Sequence, residues 1–398
     1  MLGSVNFGIS VGIPTPLSPL FTRWQKSDND LFWYNLVSPL FGMFGPFLIT
    51  FILKFIGRRL AFTILQLYTA LIYIICIFMT KERFWIAILS RALVGLEVGG
   101  FTSLCPTILI EIAPSKYSGF FGNLHQIGVV LGITTMYMQG EYAYWKTLFY
   151  TGIAISLLGA CLIWICPETS PIKQKSDNEE SQNETLFKDA HTSKLVVGLT
   201  LMAIQQFCGV NAILSNLEQN FKDAGLTLRS GIASSISMIA QLIGVLICGP
   251  IVDSIGRRSL FSISSLGCSI MLFLFSLNLK YNITNYVVLI IICFYLFFFG
   301  LALGPIPWFI VPEYFSGSIR SMSATMVTFV NQSCSFLVVF LYPWMKNGMG
   351  QSATIIFYGI ISALGAIFGY FYIEEPQKIS AENFEWNEND FEDNLVED

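Results

Sequence analysis

The sequence carries little charge. Asp, Glu, Lys and Arg make up 12% of its 398 residues, against roughly 25% in a typical soluble domain, and the formal net charge is −4. There are two histidines, and we find no nucleophile paired with a base, no phosphate-binding loop and no metal-ligand spacing. We therefore expect neither an enzyme nor a cofactor, a metal or a nucleic-acid partner.

Long uncharged stretches occupy most of the chain, which is 54% hydrophobic with 35 phenylalanines. Each stretch has about the 20 residues that a membrane-spanning helix needs. The eleven windows without Asp, Glu, Lys or Arg are 1–22, 31–53, 60–80, 119–140, 147–167, 195–217, 230–252, 259–279, 281–312, 321–345 and 347–373. A twelfth window, 84–110, contains only Arg91 and Glu97 as charges. This pattern predicts an all-α membrane protein with twelve transmembrane helices and a lipid bilayer as its surroundings.

The chain also repeats itself. Gly57-Arg58-Arg59 returns as Gly256-Arg257-Arg258, 199 residues later, which is half of the chain length. The spacing predicts two six-helix halves, residues 1–167 and 195–373. A polar linker, 168–194, separates the halves, and an acidic tail, 374–398, follows them.

A proline-rich string, residues 304–313, lies in one of the uncharged windows. Pro305 and Pro307 each remove a backbone donor, so the helix must open there. Open backbone at membrane depth persists only against protein or a water-filled cavity, and interrupted helices line the substrate sites of many transporters. Trp308 has a flat apolar face and one N–H donor, which suits a sugar ring.

Several motifs occur along most of the chain, from Met1 to about Glu375. They are Phe7-Gly8-Ile9-Ser10-Val11-Gly12, Gly57-Arg58-Arg59, Arg91 with Gly95, Glu111 with Pro114, His125-Gln126-Ile127-Gly128, Pro167-Glu168-Thr169-Ser170-Pro171, Gln205-Gln206-Phe207-Cys208-Gly209-Val210-Asn211, Asp253-Ser254-Ile255-Gly256-Arg257-Arg258, and Gly304 to Glu313 with Arg320. Together these motifs resemble the sugar porters of the major facilitator superfamily. The resemblance implies the major facilitator fold, with a substrate site between the halves and the linker and tail in the cytoplasm.

Seven positions match the family's sugar contacts. A sugar loses its water when it binds, and neutral carboxamides both donate and accept hydrogen bonds to its hydroxyls. The alternative for any single amide is an interhelical hydrogen bond worth about 0.6 kcal/mol. The implied sugar-binding residues are Gln126, Gln205, Gln206, Asn211, Gln241, Trp308 and Asn331, with Gln241 at a place where asparagine is more usual.

The resemblance also implies a gate of opposite charges that holds the inner side closed while the outer side is open. The arginines Arg58, Arg59, Arg257 and Arg258 are expected to pair with Glu111 and Glu313, with Glu168 and Arg320 as further gating residues. The pattern is incomplete, because Lys54 stands where an acid is frequent and Ser118 replaces an arginine. We therefore expect a weak gate that favours inward-open populations.

Other departures bear on the substrate. Ser215 and Asn216 replace a tyrosine pair of the outer gate, Gln332 replaces a tryptophan and Gly300 replaces a glutamate. These changes predict a wide and wet pocket.

Ser10 bears on the energy source. Proton-coupled members of the family carry Asp at this position, and a serine cannot titrate. We therefore expect a facilitative uniporter for a monosaccharide, glucose or a related hexose, in the plasma membrane and without an obligatory protein partner. A proton-coupled sugar or polyol symporter that uses Glu97, Glu141 or Glu218 is the alternative, and a non-transporting sugar receptor is the second alternative.

Overall fold

The computed structural model describes residues 1–169, 189–217, 220, 221, 226, 230–281, 285–315 and 317–375. Most of the predicted linker and tail, and Glu218, lie outside the described residues. The last part of the predicted linker, from Asp189, is helical. It forms the start of the seventh span, which the uncharged window places near residue 195.

All twelve predicted spans are helical, and several are interrupted. Their helices are Leu2–Gly12 and Pro14–Arg23 (span 1), Asp28–Gly42 and Gly45–Ile52 (span 2), Arg58–Ile77 (span 3), Trp85–Glu111 (span 4), Ser118–Tyr142 (span 5), Lys146–Leu162 (span 6), Asp189–Phe207 and Val210–Ser215 (span 7), Ser230–Ile255 (span 8), Arg257–Tyr281 (span 9), Asn285–Phe298 and Ile306–Tyr314 (span 10), Gly317–Met349 (span 11) and Gln351–Tyr372 (span 12).

Ten of these spans, among the residues that the structure describes, are long and apolar enough to cross a membrane. The other two are span 1, which is broken at Ile13, and span 5, a helix of 25 residues. Both pack among the ten. The predicted fold class, an all-α membrane protein with twelve transmembrane helices, is confirmed.

Span 3 shows how a span meets lipid on one face and protein on the other. Its exposed apolar residues recur every three or four positions and form one stripe along the helix. They are Leu60, Ile64, Leu67, Leu71 and Ile74, with Phe78 just past the end of the helix. The opposite face buries Gln66, Thr69 and Tyr73, so the polar side chains of this span point into the bundle.

The two halves use the same helix pairs. Span 1 packs on span 5 as span 7 packs on span 11, span 2 packs on span 4 as span 8 packs on span 10, and span 3 packs on span 6 as span 9 packs on span 12. The predicted repeat of two six-helix halves is therefore confirmed. The halves meet mainly where spans 2 and 4 contact span 11 and where span 5 contacts span 8.

Span 10 opens where the prolines predict. A π-helical turn, Phe299–Leu303, precedes the break, and the Gly304 N–H bonds the Phe299 carbonyl at 2.7 Å. On span 9, the Ser264 hydroxyl accepts the Leu303 N–H at 2.8 Å and donates to the Phe298 carbonyl at 2.5 Å. The neighbouring helix thus satisfies backbone groups that the break leaves without a helical partner.

Spans 1 and 5 approach closely because glycines face each other. A methyl group at Gly132 would lie 2.7 Å from the Ile9 nitrogen, and one at Gly8 would collide with the Val129 carbonyl. Substitution at this contact forces the two helices apart.

We predict that Gly132→Ala lowers the thermal unfolding midpoint of the purified protein, because overpacking costs about 1–3 kcal/mol. Gly348→Ala is the matched control, since a methyl group there has no neighbour within 4 Å. Equal midpoints for the two variants would contradict the close approach of spans 1 and 5.

Candidate functional site

A cavity of about 500 Å³ lies between the two halves. All seven residues that the sequence assigns to sugar binding line it: Gln126, Gln205, Gln206, Asn211, Gln241, Trp308 and Asn331. One of them comes from the N-terminal half and six from the C-terminal half. The structure therefore brings the seven together, and their contact with a sugar stays a prediction.

Four polar side chains of spans 7 and 11 form a hydrogen-bonded chain along one wall. Gln206 Nε2 donates to Asn331 Oδ1 at 3.0 Å, and Asn211 Nδ2 donates to Gln206 Oε1 at 2.6 Å. Asn211 also reaches Ser335 Oγ at 2.8 Å. Gly209, with φ of 86°, breaks span 7 between Gln206 and Asn211. The amides are held in position by one another before any ligand arrives.

Gln205 has a structural task. Its Nε2 donates to the Gly304 carbonyl at 2.5 Å, at the break of span 10, and its Oε1 accepts from Asn331 Nδ2 at 2.7 Å. The sequence predicts a sugar contact for this residue. Since both ends of the carboxamide are occupied by protein, Gln205 fixes the opened backbone that carries Trp308.

Trp308 and Gln241 are buried in the cavity wall. Trp308 is 7% exposed and meets the ring of His125 edge-on at 5.6 Å. Gln241 is 2% exposed, and its Oε1 has no hydrogen-bond partner. The absence of a side chain at Gly300 lets spans 8 and 10 approach closely, because a methyl group there would collide with the Gln241 backbone carbonyl. The unpaired oxygen is a free acceptor in the same cavity as the indole.

Among the described residues, the lining of the cavity reaches exposed positions at one end. Its lining runs to Asp28 and Ser215, which are exposed, and includes Asn216. None of the Gly-Arg-Arg residues lines it. Of the predicted departures, Ser215 and Asn216 lie at this mouth, while Gln332 is buried against Gly42 of the other half, 3.2 Å from a methyl group placed there. Small polar residues thus lie at the mouth, and the wide pocket stays a prediction.

We call the opposite end, where the Gly-Arg-Arg segments lie, the latch end. On one side of it, Arg58 Nη1 pairs with Glu111 Oε2 at 2.5 Å and Arg320 Nη1 reaches Glu111 Oε1 at 3.7 Å. Arg58 Nη2 also donates to Ser321 Oγ at 3.2 Å. Because Arg320 and Ser321 belong to span 11, these contacts join the two halves.

The other side of the latch end is built differently. Arg257 Nη2 pairs with Asp253 Oδ1 at 2.6 Å and with Glu313 Oε1 at 2.9 Å, all within the C-terminal half. Across the halves, Ser118 Oγ donates to Glu313 Oε1 at 2.6 Å. Ser118, which is expected from the sequence to weaken the gate, therefore contacts the predicted glutamate directly.

Asp253, which is not among the predicted gating residues, makes a further contact between the two halves. Its carboxylate accepts the Gly119 N–H at 3.2 Å and the Phe120 N–H at 3.0 Å. These are first-turn amides of span 5, which have no partner within their own helix. The carboxylate thus caps a helix of the opposite half, where negative charge is favourable.

The second arginine of each Gly-Arg-Arg motif behaves differently from the first. No ion pair within 4.0 Å joins Arg59 or Arg258 to Glu111 or Glu313 among the described ion pairs. The Arg258 guanidinium lies over the ring of Tyr370, 4.6 Å from its centroid. The structure therefore brings Arg58, Arg257 and Arg320 to the predicted glutamates and leaves the other two arginines outside the latch.

In each half, a glutamate that follows the sixth span is hydrogen-bonded to the start of the third span. Glu168 accepts the backbone N–H of Arg58 at 2.9 Å and of Arg59 at 3.3 Å. In the C-terminal half, Glu375 accepts those of Arg257 at 3.0 Å and Arg258 at 2.8 Å. Glu375 is absent from the predicted gating set, although its place after the last span could have suggested it.

A buried polar cluster lies behind span 1, next to the cavity. Ser10 Oγ donates to Glu97 Oε2 at 2.8 Å and lies 2.7 Å from Tyr73 Oη. Arg91 Nη1 donates to the Ser10 carbonyl at 2.8 Å. The sequence identifies Glu97 and Arg91 as charges within one span, but their meeting at Ser10 depends on how spans 1, 3 and 4 pack.

The sequence matches the model of a protein family described as "Sugar (and other) transporter", over residues 17–184 and 170–387. Facilitated trehalose transporter Tret1 of Aedes aegypti is 26% identical over 96% of this chain. This chain spans about half, 53%, of that relative's length. The facilitated glucose transporter member 2 of Rattus norvegicus is 27% identical over 73% of this chain and 64% of its own length.

Solved structures share the fold. The proton:xylose symporter XylE bound to 6-bromo-6-deoxy-D-glucose superposes with a TM-score of 0.80, at 19% identity, over 94% of each chain. The inward-open conformation of XylE from E. coli gives a TM-score of 0.69, also at 19% identity, over 95% of each chain.

We predict that Asp253→Asn opens the latch end more often, because it weakens the acceptor that caps span 5. A contact worth about 1 kcal/mol changes an open-state ratio roughly fivefold. Phe309 is fully buried and packs against the other half, because a methyl group at Gly122 would lie 2.6 Å from its Cγ. A cysteine at this position, Phe309→Cys in a cysteine-free background, therefore becomes accessible only when the halves separate there. Labelling of this cysteine should be faster in Asp253→Asn.

Ser118→Arg should slow the same labelling, because it places a cation beside Glu313 and Asp253. Glu374→Gln is the matched control, since Glu374 pairs with Lys194 of its own half at 3.8 Å, outside the latch. Equal rates in all variants would show that the latch contacts do not set the open population.

Proposed function

Because this chain belongs to the Sugar (and other) transporter family, we propose that it carries a monosaccharide, glucose or a related hexose, across a membrane by alternating access. One observation carries this proposal. A cavity between two repeated halves is lined by neutral carboxamides around an indole, is open at one end, and is closed at the other by contacts that cross between the halves.

The chemistry of the cavity suits a polyhydroxy ligand. Carboxamides both donate and accept, as sugar hydroxyls do. Gln241 Oε1 offers an unpaired acceptor in the cavity that Trp308 also lines. The cavity volume lies within the range of small-molecule sites. Gln206 and Asn211 are held in place by each other, so their side chains lose little conformational freedom when the sugar binds.

The closed and open ends support alternating access. In the proposed cycle, the halves rock so that the latch contacts break and the cavity mouth closes around the sugar. We propose that the latch end faces the cytoplasm, together with the linker 168–194 and the tail 374–398, and that the membrane is the plasma membrane. The two six-span halves, 1–167 and 195–373, then act as the moving bodies.

A larger sugar, a disaccharide, is a second candidate for the substrate. Several relatives carry the name of trehalose transporters, and the small residues at the mouth, Ser215 and Asn216, leave room above the buried part of the cavity. Trehalose, a disaccharide, therefore belongs in the same transport assay as D-glucose.

Transport could be driven by the sugar gradient alone or by a proton gradient, and the two mechanisms make different predictions. Ser10 by itself predicts a facilitative uniporter. Proton-coupled transport is the second candidate and is favoured by one observation, the 2.8 Å hydrogen bond that Ser10 donates to the buried carboxyl of Glu97.

We expect purified protein in liposomes to exchange labelled D-glucose against internal D-glucose, in counterflow. Excess trehalose as competitor tells which sugar is preferred. A protein that binds either sugar without any counterflow would be a receptor, and the transport proposal would be wrong.

Gln206→Ala and Asn211→Ala should each raise the half-saturating sugar concentration about tenfold, the effect of losing about 1.4 kcal/mol of hydrogen bonding. Gln139→Ala is the matched control, because the Gln139 amide bonds Thr151 of the same half at 2.9 Å and does not line the cavity. If all three variants keep the wild-type value, the amides of span 7 hold helices together and do not bind sugar.

A further inference from the structure

Span 2 contributes a polar side chain to the sugar cavity that is absent from the predicted sugar contacts. The residues of span 2 that line the cavity are spaced at most four positions apart and form one face of the helix. Asn35 is the carboxamide of this face, in the N-terminal half, which supplies only Gln126 to the predicted contacts. The cavity-lining residues of span 2 are Asp28, Leu31, Phe32, Asn35, Ser38 and Pro39.

The Asn35 carboxamide has no partner within the part of the chain that the structure describes. The residue is partly exposed, and none of the hydrogen bonds of the described residues engages its side chain. A polar group inside a membrane span is costly unless protein, water or a ligand satisfies it. The two N–H donors and the oxygen of Asn35 are therefore available to whatever occupies the cavity.

Two contacts between spans 2 and 11 fix the depth of Asn35 in the cavity. On the mouth side, the ring centroids of Phe32 and Phe340 lie 6.2 Å apart. Deeper in the bundle, Gly42 lies against the residue of span 11 that comes three positions before Ser335. Asn35 and Ser335 both lie between these contacts. A rise of about 1.5 Å per residue places them within about one helical turn of each other in depth.

Ser335 belongs to the amide wall of the C-terminal half, so Asn35 and this wall line the same level of the cavity from different halves. Asn211 Nδ2 donates to Ser335 and to Gln206, which uses both of its N–H groups. Its Oδ1 and the unpaired Oε1 of Gln241 remain as acceptors. A sugar hydroxyl both donates and accepts. A hydroxyl that donates to one of these oxygens can accept from Asn35 Nδ2.

We propose that Asn35 is a specificity-determining sugar contact, supplied by the N-terminal half opposite the amide wall of spans 7 and 11. This inference rests on the proposed sugar transport. The Asn35 carboxamide hydrogen-bonds one hydroxyl on the side of the sugar that faces span 2. The sugar then connects the two halves, so its binding favours closure of the mouth, because a ligand shifts an equilibrium toward the state that it contacts better.

The half-saturating sugar concentration in counterflow provides the first test. Asn35→Ala should raise it about fivefold for D-glucose, or for trehalose if that is the sugar exchanged, which is the effect of one lost hydrogen bond. The thermal unfolding midpoint should stay at the wild-type value, because the Asn35 side chain bonds no other described residue. Asn29→Ala is the matched control, since Asn29 is an exposed asparagine of the same span and does not line the cavity.

Sugar analogues that each lack one hydroxyl show whether the contact is direct. The monodeoxy analogues of the exchanged sugar are used as competitors in counterflow, with the wild type and with Asn35→Ala. The analogue without the hydroxyl that Asn35 binds should compete equally well in both proteins. The other analogues should compete about fivefold less well in the variant. An indirect effect on the cavity wall would weaken every analogue to a similar degree.

Protection of a cysteine tests the contact without a transport measurement. In a cysteine-free background, Asn35→Cys should react with a polar thiol reagent added from the mouth side. A saturating concentration of the exchanged sugar should slow this reaction several-fold, because the sugar occupies the space beside span 2. Asn29→Cys is the matched control and should react at the same rate with and without sugar.

The outcomes separate the two proposals. Absence of counterflow in the wild type would reject sugar transport and, with it, the Asn35 contact. Wild-type counterflow together with an unchanged half-saturating concentration in Asn35→Ala would reject the Asn35 contact alone. A uniform loss for all deoxy analogues would also reject it and leave Asn35 as a residue that shapes the wall. If Asn35→Ala does not fold, the cysteine decides, and an unprotected Asn35→Cys rejects the contact.

Discussion

The arrangement of the site depends on how the opened backbone of span 10 is satisfied inside the membrane. The Gly304 carbonyl accepts the amide of Gln205, and the π-helical turn before it is bonded by Ser264. These two side chains come from spans 7 and 9, so the break is held from two directions. Without them, exposed peptide groups at this depth would each cost several kcal/mol. With them, Trp308 is fixed and the cavity can exist.

Composition and repetition were enough to predict the architecture. Windows without charge predicted twelve spans, and the recurrence of Gly-Arg-Arg predicted two halves, because helix length in a bilayer and duplicated structure both leave direct marks on a sequence. The boundary before span 7 was less accurate, since the helix begins at Asp189, within a polar stretch. Polar residues extend a helix beyond the membrane without any hydrophobic signal.

The roles of individual residues were harder to predict, because they depend on contacts between distant spans. The sugar contact predicted for Gln205 stays a prediction, and only the structure reveals that its amide also bonds the backbone of Gly304. Asp253 belongs to a known motif, and only the packing of span 8 against span 5 reveals that it caps the opposite half. The meeting of Ser10 with Glu97 likewise needs the tertiary structure, because 87 residues separate them.

Glu168 and Glu375 give each half a closed circuit, from the end of its sixth span back to the start of its third. In the alternating access proposed above, such a tie would let each half turn as one body, so that opening at one end accompanies closing at the other. The amides and the indole lie between the halves, so a ligand bound there would act on both bodies at once.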